Sequence, residues 1–190
     1  MTVLEPSIEA GLRTATIPQR TRLLERAAVR EILMGAQDNL TNVLAVMLGV
    51  AIGAGRSDLV ALAGVSAAIA EAVSMGGVLY SSTRAEEQAT RRSGVAPVGR
   101  PDLAPIQSGV VCFAAAIAAG LLPLLPFAVL PLGGAIVAAV AISLAALFVL
   151  GSWTGRIGGA TWWRDGLRLV AVASAAAVAS AVAGIVLRVA

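Results

Sequence analysis

Histidine and lysine are absent from this chain, and cysteine occurs once. Without histidine there is no imidazole for a Ser/His or Cys/His pair, and no second acid is clearly placed for general acid–base work; an enzyme is not expected. One cysteine and no histidine also exclude the usual zinc sites. Cys112 has no partner for an intrachain disulfide and lies in an apolar run, which marks it as packing. Charge is scarce: 13% of the 190 residues are charged and 58% are hydrophobic, with mean hydropathy +0.87. A soluble domain of this size has no interior large enough to hide so much apolar side chain. Lipid must be the solvent for much of it. Aromatics make up only 4%, and the abundant Ala, Val, Gly and Leu suit closely packed helices. The polar–apolar alternation of a membrane barrel does not occur. The fold class expected is all-α, a polytopic membrane protein.

Crossing a bilayer takes about 20 apolar residues. Five runs qualify, at about 32–54, 59–83, 106–122, 132–152 and 167–187. The first two are separated by the short turn "GAGRSD". No charge occurs from Leu103 to Gly155, and "LLPLLPFAVLP" divides that stretch at Pro123, Pro126 and Pro131. Residues 1–30 form an arm with no signal-peptide core, carrying Pro6, Pro18 and a short amphipathic helix near 19–30. The polar segment 84–104 reads as a loop. All fourteen basic residues are arginine, and their distribution orients the chain. Arg13, Arg20, Arg22, Arg26 and Arg30 precede the first span. Arg84, Arg91, Arg92 and Arg100 follow the second, and Arg156, Arg164 and Arg168 lie around the fourth-to-fifth turn. The other side holds only Arg56 and Arg188. The positive-inside rule then predicts a cytoplasmic N-terminus and an outside or lumenal C-terminus. Trp153, Trp162 and Trp163 flank the last inside loop as interfacial anchors. The arginines are spread over span ends rather than gathered in a patch, so nucleic acid is not an expected partner. The lipid bilayer is. The Arg-only, Ala/Val-rich composition suggests a bacterial plasma membrane.

Few polar groups remain inside the spans: Gln37, Asp38, Asn39 and Asn42 in the first, Glu71 beside Met75 in the second, and Glu31 at the lip of the first. A carboxylate at a helix centre costs roughly 2.5–3.5 kcal/mol on insertion scales, so it is normally sheltered and tied to function. Glu31 and Asp38 are seven apart and share a stripe with Met34 and Asn42 nearby. Glu71 and Met75 share a face of span two. The short turn makes these spans antiparallel neighbours, which predicts Asp38 and Met75 at one depth and Glu71 about a turn deeper. Carboxylate, amide and thioether together suit a divalent transition metal such as Mn²⁺ or Fe²⁺. The alternative is a non-transporting scaffold in which Asp38 and the Asn residues only hydrogen-bond helices together. Met34 and Met47 read as lipid-facing or core. Gly49-x-x-x-Gly53, Gly76-Gly77 and Gly151-x-x-x-Gly155 allow close helix approach within a bundle or at a dimer seam. No G-x-x-x-x-G-K-[ST] run is present, so uphill transport would draw on an ion gradient.

"REILMGAQDNL", "AGVSAAIAEAVSMGGVLYSSTRAEEQ", "GLLPLLPF" and "ALFVLGSWTGRIGG…WW" together resemble the vacuolar iron transporter family over roughly residues 30–190. The resemblance implies a five-span homodimer moving Fe²⁺ or Mn²⁺ out of the cytosol by proton exchange, along a dimer-interface path formed largely by span one. Metal is then substrate, and no permanently bound cofactor is implied. Residue by residue, Glu31 matches the first acidic position at the cytoplasmic mouth, Asp38 the acid in the pore, Met75 the metal-facing methionine, and Glu86 an acid just after span two. The departures are specific. The usual span-two glutamate is Ala67 here, with Glu71 one turn closer as a substitute, and the usual glycine after the pore acid is Asn39. The Glu- and Met-rich domain between spans two and three is replaced by a short loop carrying Glu86, Glu87 and Asp102, so the chain resembles a short form. In a bacterial plasma membrane the inferred direction is export; in a vacuolar membrane it is storage.

Overall fold

The computed structural model describes residues 17–93, 103–157, 159 and 161–188. The expected arm over residues 1–16, with Arg13, and the loop segment 94–102, with Arg100 and Asp102, lie outside them. Five helices follow in order: α1 (Ile17–Ala54), α2 (Ser57–Ser93), α3 (Pro105–Leu121), α4 (Leu132–Ile157) and α5 (Trp162–Val186). No strand occurs among the described residues. Four helical segments are long and apolar enough to cross a membrane: α2, α3 with its extension to Ala128, α4 and α5. The chain is a polytopic membrane protein. α1, at 38 residues, has the length, but its charged first half and Gln37, Asp38, Asn39 and Asn42 keep it out of that set.

The boundaries depart from the sequence expectations for local reasons. The separate helix near 19–30 does not exist as such, because α1 runs unbroken through it. Nothing between Pro18 and Gly35 breaks a helix, and Leu, Arg, Glu and Ala there are strong helix formers. At 1.5 Å per residue α1 is about 57 Å long, well beyond the hydrocarbon thickness. Where a loop is expected from residue 84, α2 continues to Ser93. Residues 84–93 are polar yet helix-forming: Arg91 donates to Glu87 one turn back, and the Thr90 and Ser93 hydroxyls donate to the Glu86 and Ala89 carbonyls. α5 starts at Trp162 rather than 167, leaving a tight turn in which Gly159 has φ +71°. The proline-rich break is a 3₁₀ helix over Leu122–Ala128, with Pro123 and Pro126 buried. Its end is closed by the Leu130 N–H donating to the Pro126 carbonyl.

Packing contacts give the helix directions. Gly35 lies against Cys112 and Asn39 against Gly120, so α1 and α3 run parallel. Gly49 meets Ser180 and Gly53 meets Gly184, so α1 and α5 run parallel too. Gly64 faces Met47, Gly76 faces Gly109, and Gly151 and Gly155 pack on Asp165 and Trp162. These make α2 antiparallel to α1 and α3, and α4 antiparallel to α5. Of the glycines noted in the sequence, all but Gly77, which faces open space, therefore serve packing within one chain. In this up-and-down bundle Arg30, Arg84, Arg91, Arg92, Arg156, Arg164 and Arg168 collect at one end, and Arg56 and Arg188 at the other. α1 is the central element, touching all four other helices. Its Leu40, Val43, Leu44 and Met47 are each at most 1% exposed and form the core with Val60, Ala68, Leu147 and Ala173. The helix with no fully apolar membrane-length window is thus the one most enclosed by protein, which is how its polar side chains are spared lipid.

Candidate functional site

The polar residues of α1 divide between two faces. Asn39 shares the apolar stripe of Ala36, Val43 and Met47 and is fully buried. Its amide Nδ2 donates to the Ala68 carbonyl of α2 at 3.0 Å and to the Ala116 carbonyl of α3 at 2.8 Å. The missing side chain of Gly120 makes the room: a Cβ there would stand 2.8 Å from the amide. Asn39 therefore ties three helices together. Its lying four residues before Val43 was the available signal; the sequence reading grouped it with Asp38 instead.

Asp38 and Asn42 lie on the other side, half-buried. The Asp38 side chain interacts directly with Glu71 of α2, and Asn42 also reaches Glu71. Two carboxylates and an amide from two helices thus meet at the edge of a partly open stripe of α1 that includes Met34, Thr41 and Ala45. Among the described residues no arginine pairs with Asp38 or Glu71; the ion pairs Arg56–Asp58 and Arg91–Glu87 are elsewhere and exposed. No group of three or more His, Cys, Asp or Glu side chains converges among the described residues. One copy offers a partial ligand set.

The expected depths need correction. Glu71 is level with Asp38, not a turn deeper, and Met75, half-buried, falls about a turn nearer the arginine-rich end, level with residues 34–35. The turn itself is shorter than the expected "GAGRSD": the chain reverses across Gly55 and Arg56 alone, helped by φ +66° at Gly55. Glu31 is not at an open lip: it is 5% exposed, with its Oε1 3.5 Å from the Ser108 hydroxyl of α3. Glu31 and Asp38 thus share a stripe but face different helices, with buried Cys112 between them against Gly35. Glu86 is exposed on the α2 extension, about 22 Å along the helix from Glu71, and does not join the group. Met47 is core and Met34 is exposed. Ala67 packs on the apolar cluster of Val43, Met47 and Val60, so an acid there would meet hydrocarbon, whereas Glu71 meets Asp38. Tyr80 accepts a hydrogen bond from Arg84 at 2.7 Å, joining the tyrosine and the basic residue of the span-two motif.

The VIT family model matches residues 29–96 and 90–185. The chain belongs to the VIT family. No curated protein matches it. The two matched stretches meet at residues 90–96, at the start of the short connection between α2 and α3, as a short form of a VIT-family protein would. Glu31, Asp38, Asn42, Glu71, Met75 and Glu86 all fall inside them. VIT-family membership makes the chain a membrane metal-ion transporter by kinship.

Proposed function

We propose that this VIT-family chain moves Fe²⁺ or Mn²⁺ out of the cytosol in exchange for protons, as a homodimer whose path runs along α1. The observation that carries this reading is the meeting of Asp38, Glu71 and Asn42 on a half-open face, with no cation from the described chain to neutralise the acids. Oxygen donors of this kind suit Mn²⁺ and Fe²⁺, and Met75 a turn away adds the sulfur that disfavours Mg²⁺ and Ca²⁺. A single copy supplies too few ligands, and a second copy related by two-fold symmetry would double them. Glu71 then takes the role that an acid at position 67 has elsewhere in the family. The arginine-rich end faces the cytosol by the positive-inside rule, so metal enters from the end that carries exposed Glu86. The membrane is a bacterial plasma membrane, where this direction relieves metal excess.

The test is metal uptake into vesicles containing the purified protein, with and without a pH gradient. Uptake of Mn²⁺ or Fe²⁺ that requires the gradient is expected, falling to the level of protein-free vesicles in Asp38→Ala and Glu71→Ala. The scaffold reading has one observation in its favour, the three-helix tie of Asn39, and that side chain is separate from the Asp38 group. Undiminished uptake by Asp38→Ala at equal protein content would sink the transport path.

A further inference from the structure

The turn between α4 and α5 gathers features that metal transport does not use. All three tryptophans of the chain are here: Trp153, Trp162 and Trp163 are 43–45% exposed. The Arg156 guanidinium lies 5.5 Å from the Trp162 ring centre and the Arg164 guanidinium 5.4 Å from that of Trp163. Stacking on a ring face fixes a guanidinium in space while its N–H edges stay available to an acceptor. Neither arginine pairs with a carboxylate among the described residues. The nearest acid, Asp165, is turned into the α4–α5 contact, where its Oδ2 would stand 2.8 Å from a Cβ on Gly155. Beside Arg156 a groove of about 380 Å³ runs between Phe148, Val149, Ser152, Trp153 and Trp162. One end of it is cationic and the rest is mostly apolar.

We propose that this groove binds an anionic phospholipid, its phosphate met by Arg156 at the groove's end, with Arg164 as the second ring-stacked cation of the same turn, and an acyl chain lying along Phe148 and Val149. The occupant follows from charge complementarity and position. A soluble phosphate would leave the apolar wall unused, and a zwitterionic lipid would bring a cationic headgroup toward two guanidiniums. Basic pockets beside membrane helices recognise anionic headgroups on these grounds, and interfacial tryptophans hold the depth. The site is separate from Asp38 and does not depend on which ion is carried.

Because every tryptophan lies in this cluster, intrinsic fluorescence reports on it alone. The full chain is placed in phosphatidylcholine vesicles containing a minor fraction of chain-brominated phosphatidylglycerol, or the same fraction of chain-brominated phosphatidylcholine. Enrichment of the anionic quencher around the tryptophans by about fivefold or more is expected, the preference one arginine confers at an anionic surface. Arg156→Gln/Arg164→Gln should abolish the enrichment while quenching by brominated phosphatidylcholine stays unchanged, which also certifies insertion. Arg91→Gln/Arg92→Gln should retain it. Equal quenching by the two lipids in the wild type would overturn the site, a comparison that needs no variant. Enrichment surviving the Arg156/Arg164 change, an equal loss on changing Arg91 and Arg92, or displacement by inorganic phosphate would overturn it as well.

Discussion

Replacing Asn39 probes the junction where three helices meet. Its Nδ2 spends both hydrogens on carbonyls of two neighbouring helices, at 3.0 and 2.8 Å, inside fully buried protein. Hydrogen bonds between membrane helices average about 0.6 kcal/mol and reach about 1.7. Asn39→Ala removes two of them and should cost about 1–2 kcal/mol, with a little more for the space left beside Gly120. Asn39→Asp keeps the shape but aims an oxygen where the donor was, toward both carbonyls. It loses the same bonds and adds a buried charge worth about 2.5–3.5 kcal/mol, a total of about 4–5 kcal/mol. In chains of this length 1 kcal/mol moves Tm by about 2–4 °C. Thermal unfolding of the detergent-purified variants should therefore show a drop of several degrees for Asn39→Ala and about 10 °C or more for Asn39→Asp. An aspartate variant melting with, or above, the alanine variant would refute the assigned hydrogen-bond direction.

Gly184→Leu should be among the most destabilising single changes, because a Cβ there runs into the Gly49 carbonyl oxygen, which is backbone and cannot swing aside. Overpacking of this sort costs about 1–3 kcal/mol or more, read as a lower Tm and loss of monodisperse protein. Cys112 is fully buried, so a maleimide should leave the native protein unlabelled and react stoichiometrically after denaturation; rapid labelling of native protein would contradict the α1–α3 packing. Glu86→Ala should raise the KM for metal in vesicle uptake without lowering the maximal rate, because Glu86 sits exposed on the α2 extension, away from Asp38. A loss of maximal rate would place it on the path.

Helix number and order were readable because long apolar runs and the Pro123/Pro126/Pro131 break are strong, local signals. The ends of the helices were not. Residues 84–93 are polar, and polarity suggests a loop, yet their side chains favour helix and the Arg91–Glu87 pair stabilises it, while the helix expected near 19–30 is the beginning of α1. Asp38 and Glu71 stood out because an acid in an apolar run has few explanations. Their mutual depth is set by how the two helices pack side by side, which no local run of sequence displays. The separation of Asn39 from Asp38 depended on Ala68, Ala116 and Gly120, which lie far away in sequence and carry no mark of their own.

The central place of α1 bears on how the chain is made. α1 emerges from the ribosome first, before any of the helices that later enclose it exist. On its own it is poorly suited to dwell among acyl tails, with a carboxylate and three amides within six residues. The two-residue link at Gly55–Arg56 holds it close to α2, which has the membrane-length apolar run that α1 lacks, so entry of both together as a hairpin is the favourable route. Lengthening that link should therefore harm membrane insertion more than it harms the finished bundle.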